Sequence, residues 1–330
     1  MNILLVEGGK TKTLTLLMDD KGNILGYAIG GSSGWTTIGL KKTFENIKNT
    51  VKTVLDSSKT SISNIDYAFF GLPDLDTDNS IIKIKEALGL HLAELANVYI
   101  VPDYIIAYYA VTMGRQGISV IAGTGSIAYG KNSKGIEARA GGYGWLGNDE
   151  GSAIWIALKA IEAAFKSYDE RGTKTLLEDK VMSFFKVDEM IDIVDKMYSI
   201  AKEDMGEIAK LAKIVDETAR EGDKKSKEIL KLAGMELVSM AKSVYDKIKL
   251  PSEKFIVGGT GSVFSSEILS ETFKKNLRKE IPDAIVVEPL ISLEPIKGLL
   301  LIATEKLELK REIVRKALNY VKTLQKMYLY

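Results

Sequence analysis

Residues 118–140 read Ile118-Ser119-Val120-Ile121-Ala122-Gly123-Thr124-Gly125-Ser126-Ile127-Ala128-Tyr129-Gly130-Lys131-Asn132-Ser133-Lys134-Gly135-Ile136-Glu137-Ala138-Arg139-Ala140. Gly123 to Ala128 fits the dinucleotide pattern G-x-G-x-x-G/A, but that pattern needs a helix directly after its turn. Here Ile127–Gly130 runs instead into a second turn, Asn132 to Gly135. The glycine turn therefore lies between two strands, Ile118–Ala122 and Ile127–Gly130, and a third strand follows around Ile136–Ala140. A turn of this composition exposes backbone N–H groups and admits an anion closely, so Gly123, Thr124 and Gly125 are candidate phosphate ligands.

The start of the chain repeats the arrangement. Ile3–Val6, Thr13–Met18 and Asn23–Ala28 read as strands, with Glu7-Gly8-Gly9-Lys10-Thr11-Lys12 and the hairpin turn Asp20-Lys21-Gly22-Asn23 between them. The spacing from Gly9 to Gly22 nearly equals that from Gly123 to Gly135. This is a weak internal repeat, read as two related domains that each present a turn to a shared cleft; chance likeness of short β-motifs is the alternative. In the first turn Gly9 allows close approach to a phosphate, the threonine hydroxyls of Thr11 and Thr13 add donors, and Lys12 adds charge. Glu7 stands where it would hold Mg²⁺ through water. An ordinary hairpin turn is the plainer reading.

Elsewhere in the first half, helical spacing marks Ile38–Leu55, Tyr67–Gly71 is a short strand, Ser80–Leu88 a helix and Val98–Val101 another strand. Pro102-Asp103 then opens a helix through Met113. Asp103 follows an apolar strand directly, where a carboxylate would accept a proton from an attacking hydroxyl or cap the helix, or both. From Gly151 to Lys249 the pattern is mostly helical. Phe255–Val257 is a strand, Gly258–Gly261 a third glycine turn, Glu267–Lys279 a helix and Ile285–Val287 a strand. Pro295–Leu307 and the residues to about Tyr328 look helical and are expected to pack back on the body.

Composition removes whole classes of function. The chain of 330 residues has a net charge of +1, so no global field draws nucleic acid or an anionic membrane. There is no cysteine and one histidine, His91, which excludes disulfides, iron–sulfur clusters, thiolate zinc and multi-histidine metal sites. Catalysis must use carboxylates, lysines, hydroxyls, backbone amides or an oxygen-bound metal. The N-terminus lacks the basic start of a signal peptide and no apolar run nears the length of a membrane span, so a cytoplasmic protein is expected. No Walker-type loop occurs.

The most unusual stretch is Gly141-Gly142-Tyr143-Gly144-Trp145-Leu146-Gly147-Asn148-Asp149-Glu150-Gly151-Ser152. So many glycines cost backbone entropy to order. The carboxylates Asp149 and Glu150 beside aromatics suit a sugar, whose hydroxyls they would bind while a ring stacks on its apolar face. Capping of the following helix by Asp149 or Ser152 is the alternative.

Together these stretches resemble the BadF/BadG-type ATPase family, specifically its N-acetylglucosamine kinase and archaeal hexokinase branch. Residues 141–155 look like its G-G-x-G-x-x-x-x-D-E-G-S-x-x-W signature, and the motifs run in the family's order from about Asn2 to Ala303. The resemblance implies an α/β, two-domain ribonuclease-H-like fold of the actin and hexokinase type, with the active-site cleft between domains. It implies an N-terminal domain over 1–113, onto which a C-terminal helix at about 304–330 packs back, and a larger domain over 114–303 with a helical insertion at about 151–249. It implies ATP and Mg²⁺ as cofactors and phosphorylation of a hexose or amino-sugar hydroxyl. Asp103 matches the catalytic base. Gly9, Thr11, Lys12 and Thr13 match the first phosphate motif, Gly123, Thr124 and Gly125 the second, and Gly258 and Gly259 the adenosine motif. Asp149 matches a sugar ligand, with Glu150, Gly71 and Trp35 expected beside it.

The chain also departs from the family. Glu7 stands for the usual Asp, Lys10 for Gly, Gly34 for a sugar-binding Asn, and Pro73 for a small residue. A catalytically weak or inactive relative, binding nucleotide or sugar for regulation, is therefore the competing reading. An activator of a radical dehydratase, the family's other branch, needs cysteines that this chain lacks. Expected partners are a small sugar and a nucleotide, with no nucleic acid or membrane, and a homodimer as the common assembly.

Overall fold

A computed structural model describes residues 1–147, 149–249, 254–291 and 296–328. The chain divides into two units, one of residues 1–114 with 290–330 and the other of residues 115–289.

The first unit is built on a five-stranded sheet of β1 (Asn2–Gly8), β2 (Thr13–Asp19), β3 (Ile24–Gly30), β4 (Tyr67–Leu72) and β5 (Val98–Pro102) in the order β3-β2-β1-β4-β5. β1, β2 and β3 form an antiparallel meander, while β4 and β5 run parallel to β1. The parallel pairs require crossovers. Helices α1 (Trp35–Ile38) and α2 (Leu40–Ser58) make the first, and α3 (Asp78–His91) the second. Helix α4 (Asp103–Thr112) follows β5.

The unbroken apolar run of β1 has a physical cause. Leu4 and Val6 face a core formed with Phe44, Ile47, Val51 and Val54 of α2 and Ile84 and Leu88 of α3. Ile3 and Leu5 face the opposite core, which holds Ile106 of α4 and residues from the C-terminal helices. A central strand covered on both sides shows no polar alternation.

The second unit repeats the design. Strands β6 (Gly117–Ala122), β7 (Ser126–Lys131), β8 (Glu137–Gly141), β9 (Phe255–Thr260) and β10 (Ala284–Val286) lie in the order β10-β9-β6-β7-β8. β6, β7 and β8 are again an antiparallel meander, and β9 and β10 again run parallel to the first strand. Both sheets thus have the ribonuclease-H-like topology expected. The crossover from β8 to β9 is expanded into α5 (Ala153–Tyr168), α6 (Leu177–Phe185), α7 (Ile193–Glu203), α8 (Met205–Ala209), α9 (Leu211–Arg220) and α10 (Lys224–Ile248). Helix α11 (Glu267–Glu280) joins β9 to β10.

Two expectations are corrected. Gly258 and Gly259 are not in a turn: β9 continues through Thr260, with Gly258 and Gly259 opposite Ser119 and Val120 of β6. The chain turns at Gly261, whose φ of +115° favours glycine. Residues 290–303, expected with the second domain, belong to the first unit. Ile296, Leu299, Leu300 and Ala303 of α12 (Ile296–Lys306) complete the apolar core under β1 and β4, joined by Ala317 and Val321 of α13 (Arg311–Tyr328). The helix start expected at Pro295 lies outside the described residues, as does Asn148 of the glycine-rich motif.

Candidate functional site

In the first unit, three parallel strands deliver polar groups from their carboxyl ends, where open α/β sheets bind ligands. β1 leads into the Gly9–Lys12 turn, β4 into Asp74 and β5 into Asp103. The turn is closed by Gly9 N–H donating to Lys12 O at 2.8 Å, and Ser33 N–H donates to Gly9 O at 3.0 Å. Thr13 is buried and spends its hydroxyl on Gly31 O at 2.8 Å. Thr11 is exposed and Lys12 half-buried. Burial pushes the Glu7 carboxyl up to about 7, partly offset by the Lys12 ammonium. Burial in turn lowers Lys12, and Glu7 opposes that shift.

Asp103 is the first residue of α4. The N-cap position is Pro102, and no side chain caps this helix, so the capping alternative for Asp103 does not hold. Burial pushes its carboxyl up to about 7; Lys10 pulls it down, Asp74 and Asp76 push it up, and one backbone N–H, that of Tyr104, stabilises the charge.

Trp35 and Gly71 serve the frame of this site. The indole Nε1–H of Trp35 donates to Asp74 O at 3.3 Å, and the Lys83 ammonium lies 5.7 Å from its ring centroid. Gly71 stands in β4 opposite Glu7 and Val101. A Cβ there would fall 1.8 Å from Ile106 Cδ1, so close packing of α4 demands glycine.

In the second unit the β6–β7 turn is clamped onto the start of α5. Ala153 N–H donates to Gly123 O at 2.9 Å and Ile154 N–H to Thr124 O at 3.3 Å, while Gly123 N–H donates to Gly125 O at 2.9 Å. Gly123 faces open space, since a Cβ would meet nothing within 4 Å. Ser126 Oγ–H donates to Glu150 O at 2.7 Å, which ties the turn to the glycine-rich motif. Gly261 also reaches this turn, because a Cβ on it would lie 2.4 Å from Ala122 O. The glycine turn, Asp149–Glu150 and the end of β9 thus come together. Gly259 contributes as a packing residue: a Cβ on it would lie 2.3 Å from the Phe264 ring.

The motif's composition follows from its backbone. Gly141, Gly142, Gly144 and Gly151 all have φ between +74° and +78°. Asp149 is buried and holds φ at +21°, an unusual conformation for a side-chain-bearing residue. Ser152, not Asp149, caps α5, accepting from Trp155 N–H at 3.2 Å. Tyr143 is 69% exposed.

Sequence reading missed Asp74. Its signal was present, because Leu72-Pro73-Asp74 after β4 copies Val101-Pro102-Asp103 after β5. Its contacts depend on chain segments far apart and carry no local pattern.

A model of the BadF/BadG/BcrA/BcrD ATPase family matches residues 6–303. An N-acetylmuramic acid/N-acetylglucosamine kinase of Clostridium acetobutylicum is 36% identical over 217 residues, which span 65% of this chain and 69% of that protein. An N-acetyl-D-glucosamine kinase of Dictyostelium discoideum is 28% identical over 308 residues, 90% of this chain and 96% of that one. The crystal structure of a candidate N-acetylglucosamine kinase from Chromobacterium violaceum aligns with a TM-score of 0.71 at 22% identity, covering 91% of this chain and 98% of that one, a likeness of fold. With two ribonuclease-H-like sheets, glycine turns at matching ends and a family match across most of its length, the chain belongs to the BadF/BadG/BcrA/BcrD ATPase family.

Proposed function

We propose that this chain is an ATP-dependent kinase that phosphorylates a hydroxyl of a hexose or amino sugar. The observation that carries the reading is Asp103, a half-buried carboxyl at the end of a parallel strand, pushed up to about 7 by burial. A base is most effective when its pKa lies near the working pH. Asp103 takes the proton as the acceptor oxygen bonds to the γ-phosphorus. The bond from that phosphorus to the β–γ bridging oxygen breaks, and ADP leaves. Orientation and charge stabilisation supply most of the acceleration in such transfers.

The remaining roles follow the family motif. Gly9, Thr11, Lys12 and Thr13 form the phosphate turn of the first unit, and Gly123, Thr124 and Gly125 that of the second. Open space over Gly123 suits backbone approach to a phosphate. Gly259 acts indirectly, leaving room for the Phe264 ring beside β9. Asp149 and Glu150 are read as sugar ligands from the family motif, and Trp35 as part of the frame that holds Asp74. Among the described residues no group of three acidic or histidine side chains could hold a metal by itself. Mg²⁺ would be carried on the nucleotide, with Glu7 reaching it through water, and when bound would neutralise phosphate charge. No described helix is long and apolar enough to cross a membrane.

The competing reading, a relative that binds without turnover, draws on Lys10 in the first phosphate turn. Its ammonium is held aside by Asp74 at 3.1 Å, which favours the catalytic reading. Release of ADP from Mg²⁺-ATP over a panel of hexoses, hexosamines and N-acetylated sugars tests the proposal. Turnover with at least one sugar is expected. Sugar-dependent thermal stabilisation without turnover on any of them would replace it with the binding-only reading.

A further inference from the structure

Lys10, Asp74 and Gly34 form one connected group beside Asp103. Lys10 leaves the β1–β2 turn and its ammonium nitrogen lies 3.1 Å from Asp74 Oδ1. The Asp74 side chain is 7% exposed, and its other oxygen accepts from Thr36 N–H at 3.3 Å and Thr36 Oγ–H at 2.6 Å. The lysine stem runs over Gly34. A Cβ at that position would meet Lys10 Cγ at 3.1 Å, Lys10 Cα at 3.4 Å and Asp74 Oδ2 at 3.5 Å. Gly34 has φ −77° and ψ 94°, which any residue adopts, so glycine here makes room rather than a bend.

An ion pair withdrawn this far from water returns little net stability. Its value lies in fixed geometry: a cationic donor and an anionic acceptor side by side, which is what two neighbouring hydroxyls require. Lys10 keeps 30% of its side chain exposed while its partner Asp74 keeps 7%. Lys10, Asp74 and Asp76 are also the charges that act on Asp103. Counting only the groups that act on Asp103, with Asp103 itself ionised, one positive charge stands among three negative ones, and the sum of −2 repels a further carboxylate.

We propose that Lys10 and Asp74 select the acceptor, hydrogen-bonding the hydroxyls of an uncharged sugar and rejecting sugars that carry a carboxylate. This rests on the kinase reading above and narrows it. Gly34 is the space that lets Lys10 reach its partner. Thr36 holds the Asp74 carboxylate so that the pair does not swing away.

The test compares N-acetylglucosamine with N-acetylmuramic acid, which adds a carboxylate, and measures sugar and ATP constants separately. Wild type should favour the neutral sugar by about tenfold or more in kcat/KM. Lys10→Met should raise the sugar KM about tenfold and leave the ATP KM within about twofold, while Lys12→Met does the reverse. Asp74→Asn, which leaves the lysine charge unanswered, should narrow or invert the preference. Gly34→Ala should weaken selectivity in the same direction with both charged residues retained, so the result does not depend on Lys10→Met folding well. Equal use of both sugars by wild type overturns the inference. So does a Lys10→Met variant altered only toward ATP, or an Asp74→Asn variant of unchanged selectivity. Absence of both turnover and sugar-dependent thermal stabilisation in wild type overturns the kinase reading and this inference together.

Discussion

Two of the aspartates at helix starts in this protein are shifted in opposite directions. Asp223 caps α10 and accepts from Ser226 N–H at 2.7 Å, Ser226 Oγ–H at 2.8 Å, Leu176 N–H at 3.0 Å and Thr175 Oγ–H at 2.9 Å. Burial pushes this carboxyl up, but those hydrogen bonds outweigh it and hold the group below the usual carboxylate range. Asp103 at the start of α4 is pushed up to about 7, with one backbone N–H and one lysine set against burial and two carboxylates. Both sit at a helix N-terminus, where the dipole favours negative charge. The dipole therefore does not decide. Burial and neighbouring carboxylates raise Asp103, while the donors aimed at Asp223 outweigh its burial, and this balance separates an aspartate that holds structure from one kept ready to gain and lose a proton.

The sharpest way to break this contrast is Asp103→Asn. A loss of about 10²- to 10⁴-fold in kcat is expected, with ATP binding and the unfolding midpoint close to wild type. Near-normal turnover would remove Asp103 from the chemistry.

A pH series comes next in size. The folded-state value of Asp103 lies above its ordinary 3.8, so ionisation is delayed to about 7. The base is lost as pH falls through that value, and kcat/KM should drop about tenfold per pH unit below it. Stability should move the other way. A raised carboxyl contributes stability that is complete below the ordinary value and is lost as pH rises through about 7. A flat rate profile between pH 5 and 7 would contradict the assignment.

Asp223→Ala probes the other half. It should cost about 2–3 kcal/mol of stability, because buried donors are left without an acceptor, and leave turnover per folded molecule unchanged. The depressed carboxyl stabilises the fold above its ordinary 3.8, and that contribution fades as pH falls through the folded value. The gap between variant and wild type in urea titrations should accordingly narrow in acid. The smallest effect belongs to Ser226→Ala, which removes one donor at 2.8 Å. A cost of about 1 kcal/mol is expected, together with a rise in the Asp223 pKa that NMR titration would register. No rise would mean that the backbone donors alone set it.

Much of this contrast was legible along the chain. Asp103 is legible because it lies just after the apolar strand Val98–Val101, and a carboxylate at such a place belongs to a small set of uses. Asp223 drew no notice, since Gly222-Asp223 before a helical stretch looks like any cap, and its partners Thr175 and Leu176 lie far back in sequence. Lys10 stood out as a departure, yet only the folded chain brings it to Asp74. Gly258 and Gly259 misled, because paired glycines after an apolar strand read as a turn when the strand's neighbour is unknown. Here β6 supplies the ladder for both, and Phe264 fills the space that a Gly259 side chain would occupy.

By itself the sequence determined what local physics governs. The apolar runs, the hairpin turns, the repeated strand–turn–strand pattern and the helical stretches follow from side-chain period and backbone preference within a few residues. Tertiary structure alone decided which segments share a core, so that α12 joins the first unit through Ile296, Leu299 and Leu300. It also decided how each carboxylate is charged, because desolvation and hydrogen bonding depend on groups that meet only after folding.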